Sequence, residues 1–149
     1  MQDRDKQRIV VGIDGSEGSL VALRAAADEA RLRGVPLEVV CAWHPGVTGS
    51  LPGFGVGTPV PEVLDELGTA LTATLEAEGL GADGDLAVTA TVVTGHAAET
   101  LIDASDDAAL VVVGSRGHGG FAGMILGSVS QHVSTHARCP VMIVPTPTP

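Results

Sequence analysis

The residues best suited to chemistry lie between Gly114 and Ser130, where the chain reads Gly-Ser-Arg-Gly-His-Gly-Gly-Phe-Ala-Gly-Met-Ile-Leu-Gly-Ser-Val-Ser. Glycines at 114 and 117 let a backbone turn sharply and come close to a ligand. Successive free N–H groups on such a turn form a concave nest for an anion. Gly127 and Ser128 fall where the next helix would begin, so its unpaired N–H groups and positive dipole end would face the same anion. Ser128 and Ser130 add hydroxyls, and Arg116 adds a positive charge. His118 could donate to a phosphate or point to solvent. The chemistry implied is phosphate binding by main-chain amides. The same glycines also suit a plain flexible connection, so their spacing alone leaves the ligand open.

The rest of the chain narrows the choice. No G-x-x-x-x-G-K-[ST] is present, and the single lysine, Lys6, lies far from the glycine segment. No G-x-G-x-x-G follows the first apolar run, and Gly117-x-Gly119-Gly120 is only a fragment of one. A P-loop ATPase and a standard dinucleotide dehydrogenase are therefore disfavoured. The formal net charge is −10, which repels nucleic-acid phosphates and anionic lipid. After Arg33 the only basic residues are Arg116 and Arg138, so a phosphate bound in the second half must lean on backbone amides. The two cysteines, Cys41 and Cys139, make neither a CxxC nor a disulfide framework and read as buried small residues of a reduced compartment. The short apolar run after a charged start is no signal-peptide core, and no stretch approaches a membrane span, so a cytoplasmic location is expected.

Other polar residues have plain readings beside chemical ones. Asp14 ends an apolar run and suits either a turn or a ligand contact made through a hydroxyl or a cation. His132 and His136 are four apart, as metal ligands can be. They lack the glutamate of HExxH and read as solvated residues near a helix C-terminus. Trp43 reads as packing.

The elements that must position these residues follow from periodicity. Ile9–Ile13, Leu37–Trp43, Leu86–Val93, Ala109–Val113 and Val141–Val144 read as strands. A helix runs from the N-cap Ser16 to Gly34, a second from Thr58-Pro59 to Gly79, a third over Ala97–Ala104 and a fourth over Ser128–Ala137. His44 to Gly57 is a Gly- and Pro-rich loop that serves as a mobile lid or an ordinary connection. Strict alternation predicts an α/β fold: one open, doubly wound parallel sheet with helices on both faces, in a single domain over 1–149 with its ordered core at about 7–145. Ligands of such sheets bind beyond the carboxyl ends of the strands at the topological switch point.

Gly114-x2-Gly117-x9-Gly127-Ser128 resembles the G-x2-G-x9-G-[ST] signature of ATP-binding universal stress proteins. Ile9-Val-Val-Gly-Ile-Asp14-Gly-Ser16 resembles that family's first strand and acidic turn. Gly95-His-Ala-Ala-Glu-Thr resembles the start of its third helix, and Cys139-Pro140-Val-Met-Ile-Val its terminal strand. The resemblance implies five strands in the order 3-2-1-4-5. It implies adenine near Gly12, Ile13 and Ala42, and Asp14 near the ribose or a nucleotide-bound cation. Val113, Gly114, Ser115, Arg116, Gly117, His118, Gly119, Gly120, Gly127, Ser128, Val129 and Ser130 would surround the ribose and phosphates, with Mg²⁺ or Mn²⁺ accompanying ATP. A homodimer through Val141 to Val144 is also implied.

With no nucleophile and base identifiable, a nucleotide-dependent stress-response regulator is the leading expectation. The alternatives are a slow metal-dependent ATPase or phosphotransfer enzyme, using Asp14, Arg116, Ser128 and Ser130, and a protein-interaction module indifferent to nucleotide.

Overall fold

The computed structural model describes residues 7–44, 60–116 and 126–147. Five strands form one parallel sheet in the order β3-β2-β1-β4-β5. They are β1 (Arg8–Gly12), β2 (Leu37–Trp43), β3 (Val88–Thr94), β4 (Ala108–Gly114) and β5 (Val141–Val144). The helices are α1 (Glu17–Arg33), α2 (Val60–Ala77), α3 (Ala97–Ser105) and α4 (Ser128–His136). The predicted strand β2 and strand β5 agree residue for residue. Strand β3 begins two residues later than the apolar pattern proposes. Leu86 packs against the core while the backbone joins the sheet only at Val88, opposite Leu37. The expected helix start at Thr58-Pro59 and the loop His44 to Gly57 lie outside the described residues, save His44 itself.

Alternation along the strands divides the core between the two faces. Ile9 and Val11 point one way, joining Leu23, Ala26 and Ala30 of α1 and Leu71 and Leu75 of α2. Val10 points the other way, with Val111 and Val113 of β4, Leu101 of α3 and Val133 of α4. Two helices on each face make the sheet doubly wound. The order reverses between β1 and β4, so the crevice of the fold opens at the carboxyl ends of these two strands.

Helix α1 begins at the predicted N-cap. Ser16 Oγ accepts from the Ser19 N–H at 3.2 Å. It ends at Gly34, whose φ of 66° is the left-handed cap that glycine adopts without strain. Among the described residues no helix is long and apolar enough to cross a membrane.

Candidate functional site

The crevice has two walls of different character. One is the turn from β1 into α1. Asp14 is exposed, and its Oδ1 accepts from both the N–H and the hydroxyl of Ser16. The Asp14 N–H donates to Ser19 Oγ, whose hydroxyl in turn donates to the Ser16 carbonyl at 2.9 Å. Gly15 between them has φ 82°, a conformation L side chains rarely adopt. This wall thus has a capped helix start with a carboxylate in front of it, which already answers the positive end of α1. The charge of Asp14 is also felt on β2. Burial pushes the Cys41 thiol above its ordinary value, and the Asp14 carboxylate pushes it further.

The other wall is built around Ser115, just past β4. Its N–H donates to the Val144 carbonyl at 2.8 Å, tying the ends of β4 and β5. Its carbonyl receives the Gly127 N–H at 2.6 Å and lies 3.1 Å from the Ser130 hydroxyl, which also reaches the Gly127 carbonyl at 3.0 Å. Ser130 is 2 % exposed. Its expected part as a phosphate donor is therefore revised: its one proton goes to main-chain carbonyls, and its work is to hold α4 on β4. Ser115 likewise belongs to the floor. Gly127, the N-cap of α4, has no side chain to cap the first turn, and no acidic residue lies there. Ser128 is exposed and Val129 half-buried.

Arg116 follows directly and is exposed. The other arginines in the described residues are all ion-paired: Arg8 with Glu38, Arg24 with Glu78, Arg31 with Asp28 and Asp85, Arg33 with Glu29, and Arg138 with Asp106. Arg116 alone has no carboxylate partner among the described residues. An uncapped helix N-terminus beside an unpaired arginine makes this wall the one suited to an anion.

Three glycines set how closely the walls approach. A Cβ on Gly114 would stand 2.8 Å from the Gly18 carbonyl oxygen, and one on Gly18 would stand 2.6 Å from the Arg116 carbonyl oxygen. The first turn of α1 therefore lies directly on the end of β4. Gly114 serves this helix–strand contact. Gly12 is small for a similar reason, because its Cβ would meet Leu101 Cδ1 at 2.7 Å. Gly18 escaped the sequence reading. Its signal was a glycine one residue inside a helix start, where a better helix former costs nothing unless another backbone is near.

Ile13 and Val113 are 6 % and 3 % exposed, with their side chains in the two halves of the core. Only their main chains are placed to line the crevice, and the Ile13 N–H is already given to the Val40 carbonyl at 2.9 Å. Ala42 is half-buried near the end of β2. Gly117, His118, Gly119 and Gly120 lie outside the described residues. One imidazole pair went unread: His44 stacks on His96 with ring centroids 4.2 Å apart. His132 and His136, read from the sequence as four apart on one helix, meet at 4.7 Å.

A parallel 3-2-1-4-5 sheet with helices on both faces defines a doubly wound α/β protein. The universal stress protein family model matches residues 6–145, and the chain belongs to that family. A universal stress protein of Mycolicibacterium smegmatis is 42 % identical over 136 residues, which are 91 % of this chain and 45 % of that protein. Universal stress protein Rv2623 of Mycobacterium tuberculosis is 38 % identical over 137 residues, 91 % of this chain and 44 % of the relative. The chain thus spans a little under half the length of these relatives. Among solved structures, a universal stress protein in complex with cAMP is 29 % identical with a TM-score of 0.61, covering 95 % of this chain and 98 % of that one. The universal stress protein of Archaeoglobus fulgidus in complex with dAMP is 27 % identical with a TM-score of 0.61, covering 92 % and 96 %.

Proposed function

We propose that the chain binds ATP in the β1/β4 crevice and acts as a nucleotide-dependent regulator of the stress response. The observation that carries this is the asymmetry of the crevice: an uncapped α4 with Arg116 beside it, opposite a capped α1 fronted by Asp14. Two related universal stress proteins, one in complex with cAMP and one with dAMP, support the choice of base. The main chain at Gly12 and Ile13, with Ala42, borders the adenine. Val113 and Gly114 lie along the ribose. The segment from Gly117 to Gly120, with Gly127, Ser128 and Val129, surrounds the phosphates, and Arg116 and His118 add side-chain donors. Ser115 and Ser130 hold these groups in place. No group of three or more His, Cys, Asp or Glu suited to a metal occurs among the described residues. A Mg²⁺ or Mn²⁺ ion would accompany the nucleotide on its phosphate oxygens, with Asp14 as a carboxylate ligand.

Calorimetry with ATP, ADP, AMP and cAMP tests this reading. Arg116 has no carboxylate partner among the described residues, so Arg116→Gln breaks no ion pair of the described fold, and circular dichroism of the variant verifies its folding. Loss of a hydrogen bond to a charged group costs about 1.5–3 kcal/mol, so ATP affinity is expected to fall roughly ten- to a hundredfold. No heat at millimolar nucleotide, or a variant that binds ATP as tightly as the parent, refutes it.

A further inference from the structure

We propose that His132 and His136 chelate a divalent transition-metal ion, of the Ni²⁺, Cu²⁺ or Zn²⁺ kind, on the outer face of α4. Spacing of four puts both imidazoles on one side of the helix. Both residues are exposed, and Val133 at 0 % exposure anchors the opposite side. The ring centroids are 4.7 Å apart and the planes are inclined at 46°. With a metal–nitrogen bond of ~2.0–2.1 Å, an ion sits about 3.2 Å from each ring centre, so two rings at a right angle about it lie ~4.5 Å apart. A tetrahedral angle widens that to about 5.2 Å, and the observed separation of 4.7 Å falls between the two, so a turn of the ring torsions suffices to aim both imidazoles at one ion. The pair His44 and His96 does not offer the same geometry. Its rings are nearly parallel, at 19°, so their in-plane lone pairs run side by side.

The surroundings favour a cation. Along the helix the neighbours are Ser128, Val129 and Thr135, all uncharged, and the nearby Arg138 is held by Asp106 at 2.7 Å. The site occupies the last turns of α4, where the helix dipole favours positive charge, in a chain of net charge −10. No third His, Cys, Asp or Glu joins the two among the described residues. Water completes the coordination sphere, and a ligand set of imidazole and water prefers late first-row ions to Mg²⁺. The two histidines are not among the residues assigned to the nucleotide, and they lie four and eight residues beyond Ser128.

Nickel titration of the whole chain, followed by calorimetry in a non-chelating buffer, tests the pair. One tight site per chain is expected, unchanged in the His44→Ala/His96→Ala variant. Converting a two-point grip to one point should weaken it roughly 100-fold or more in either His132→Ala or His136→Ala. His132→Gln and His136→Gln, which keep the length and polarity of the side chain, should behave like the alanine variants, and circular dichroism verifies their helix content. Nickel affinity unaltered by these four substitutions, a tight site that disappears with His44 and His96, or the absence of a tight site overturns the proposal.

Discussion

Adding one methyl group at Gly114 tests whether the walls of the crevice are as close as described. In Gly114→Ala the new Cβ would lie 2.8 Å from the Gly18 oxygen, 3.0 Å from the Gly18 carbonyl carbon and 3.4 Å from the Arg116 oxygen. All three are main-chain atoms. Relief requires α1 to move off β4, yet Ala22, Leu23 and Ala26 of that helix are at 0 % exposure against the sheet. Gly12→Ala is the matched control. Its Cβ would approach Leu101 Cδ1 at 2.7 Å, Cδ2 at 3.4 Å and Cγ at 3.5 Å, all atoms of one side chain that can turn aside. Neither glycine has positive φ, so alanine brings no backbone strain at either position.

Overpacking costs about 1–3 kcal/mol, and a rigid main-chain obstacle belongs at the top of that range while a mobile side chain belongs at the bottom. Alanine also restricts the unfolded chain, which returns about 0.4–1 kcal/mol. The net expectation is about 2 kcal/mol of destabilisation for Gly114→Ala and about half a kcal/mol or less for Gly12→Ala. Urea unfolding at equilibrium, with the slope unchanged between variants, measures both. Combining Gly12→Ala with Leu101→Val should cost less than the sum of the two, because the shorter side chain vacates the contested space. A Gly114→Ala protein as stable as the parent, or one that loses less than Gly12→Ala, refutes the close-contact account.

Two further predictions concern the sheet edge and the half-buried Cys41 thiol. Val111 and Ser115 donate to the carbonyls of Pro140 and Val144, so by parity the N–H groups of Val141 and Ile143 point away from β4 along a free edge. We propose that a second copy pairs there. Light scattering should give twice 15.0 kDa, and Ile143→Pro, which deletes an outward donor, should give a folded monomer; a parent that stays monomeric at high concentration removes the dimer. The Cys41 thiol, raised first by burial and then by Asp14, should react slowly with a disulfide reagent at mildly alkaline pH and somewhat faster in Asp14→Asn. Because the folded chain holds that proton more tightly than the unfolded one, the associated stability is complete below the ordinary thiol range and is lost as pH rises through the folded value. Identical labelling rates in parent and variant would show that Asp14 does not reach Cys41.

Much of the architecture is written in local pattern. The run Leu37–Trp43 follows Gly34 and Pro36, and Val141–Val144 follows Pro140, so punctuation and apolar content coincide with the strands observed. The cap at Ser16 is equally local, since donor and acceptor are three residues apart. Site residues are harder because their partners are remote in sequence. Ser130 looks like a free hydroxyl until Ser115, fifteen residues earlier, is placed beneath it. Gly114 looks like a loop glycine until Gly18 is found against it across the crevice. The glycine spacing shows that space is needed at a position, while only the packing shows what fills the space.

The Ser115 hub bears on why this edge suits a ligand with concentrated negative charge. Its amide fixes the ends of β4 and β5 together, its carbonyl receives Gly127 and Ser130, and its hydroxyl accepts the Thr146 N–H at 3.4 Å. Each bond is made within the protein and none requires a ligand. The start of α4 is consequently fixed by the fold itself, so under the proposed function little ordering cost would fall on phosphate binding there. On the opposite wall the same kind of internal bonding has the contrary effect: Ser16 and Asp14 satisfy the start of α1 and leave a carboxylate facing the crevice. One helix terminus is held in position with no side-chain cap on its first turn, the other is held in position and capped. Under the proposed function, a nucleotide is expected to lie across these walls with its phosphates at α4 and its uncharged end away from it.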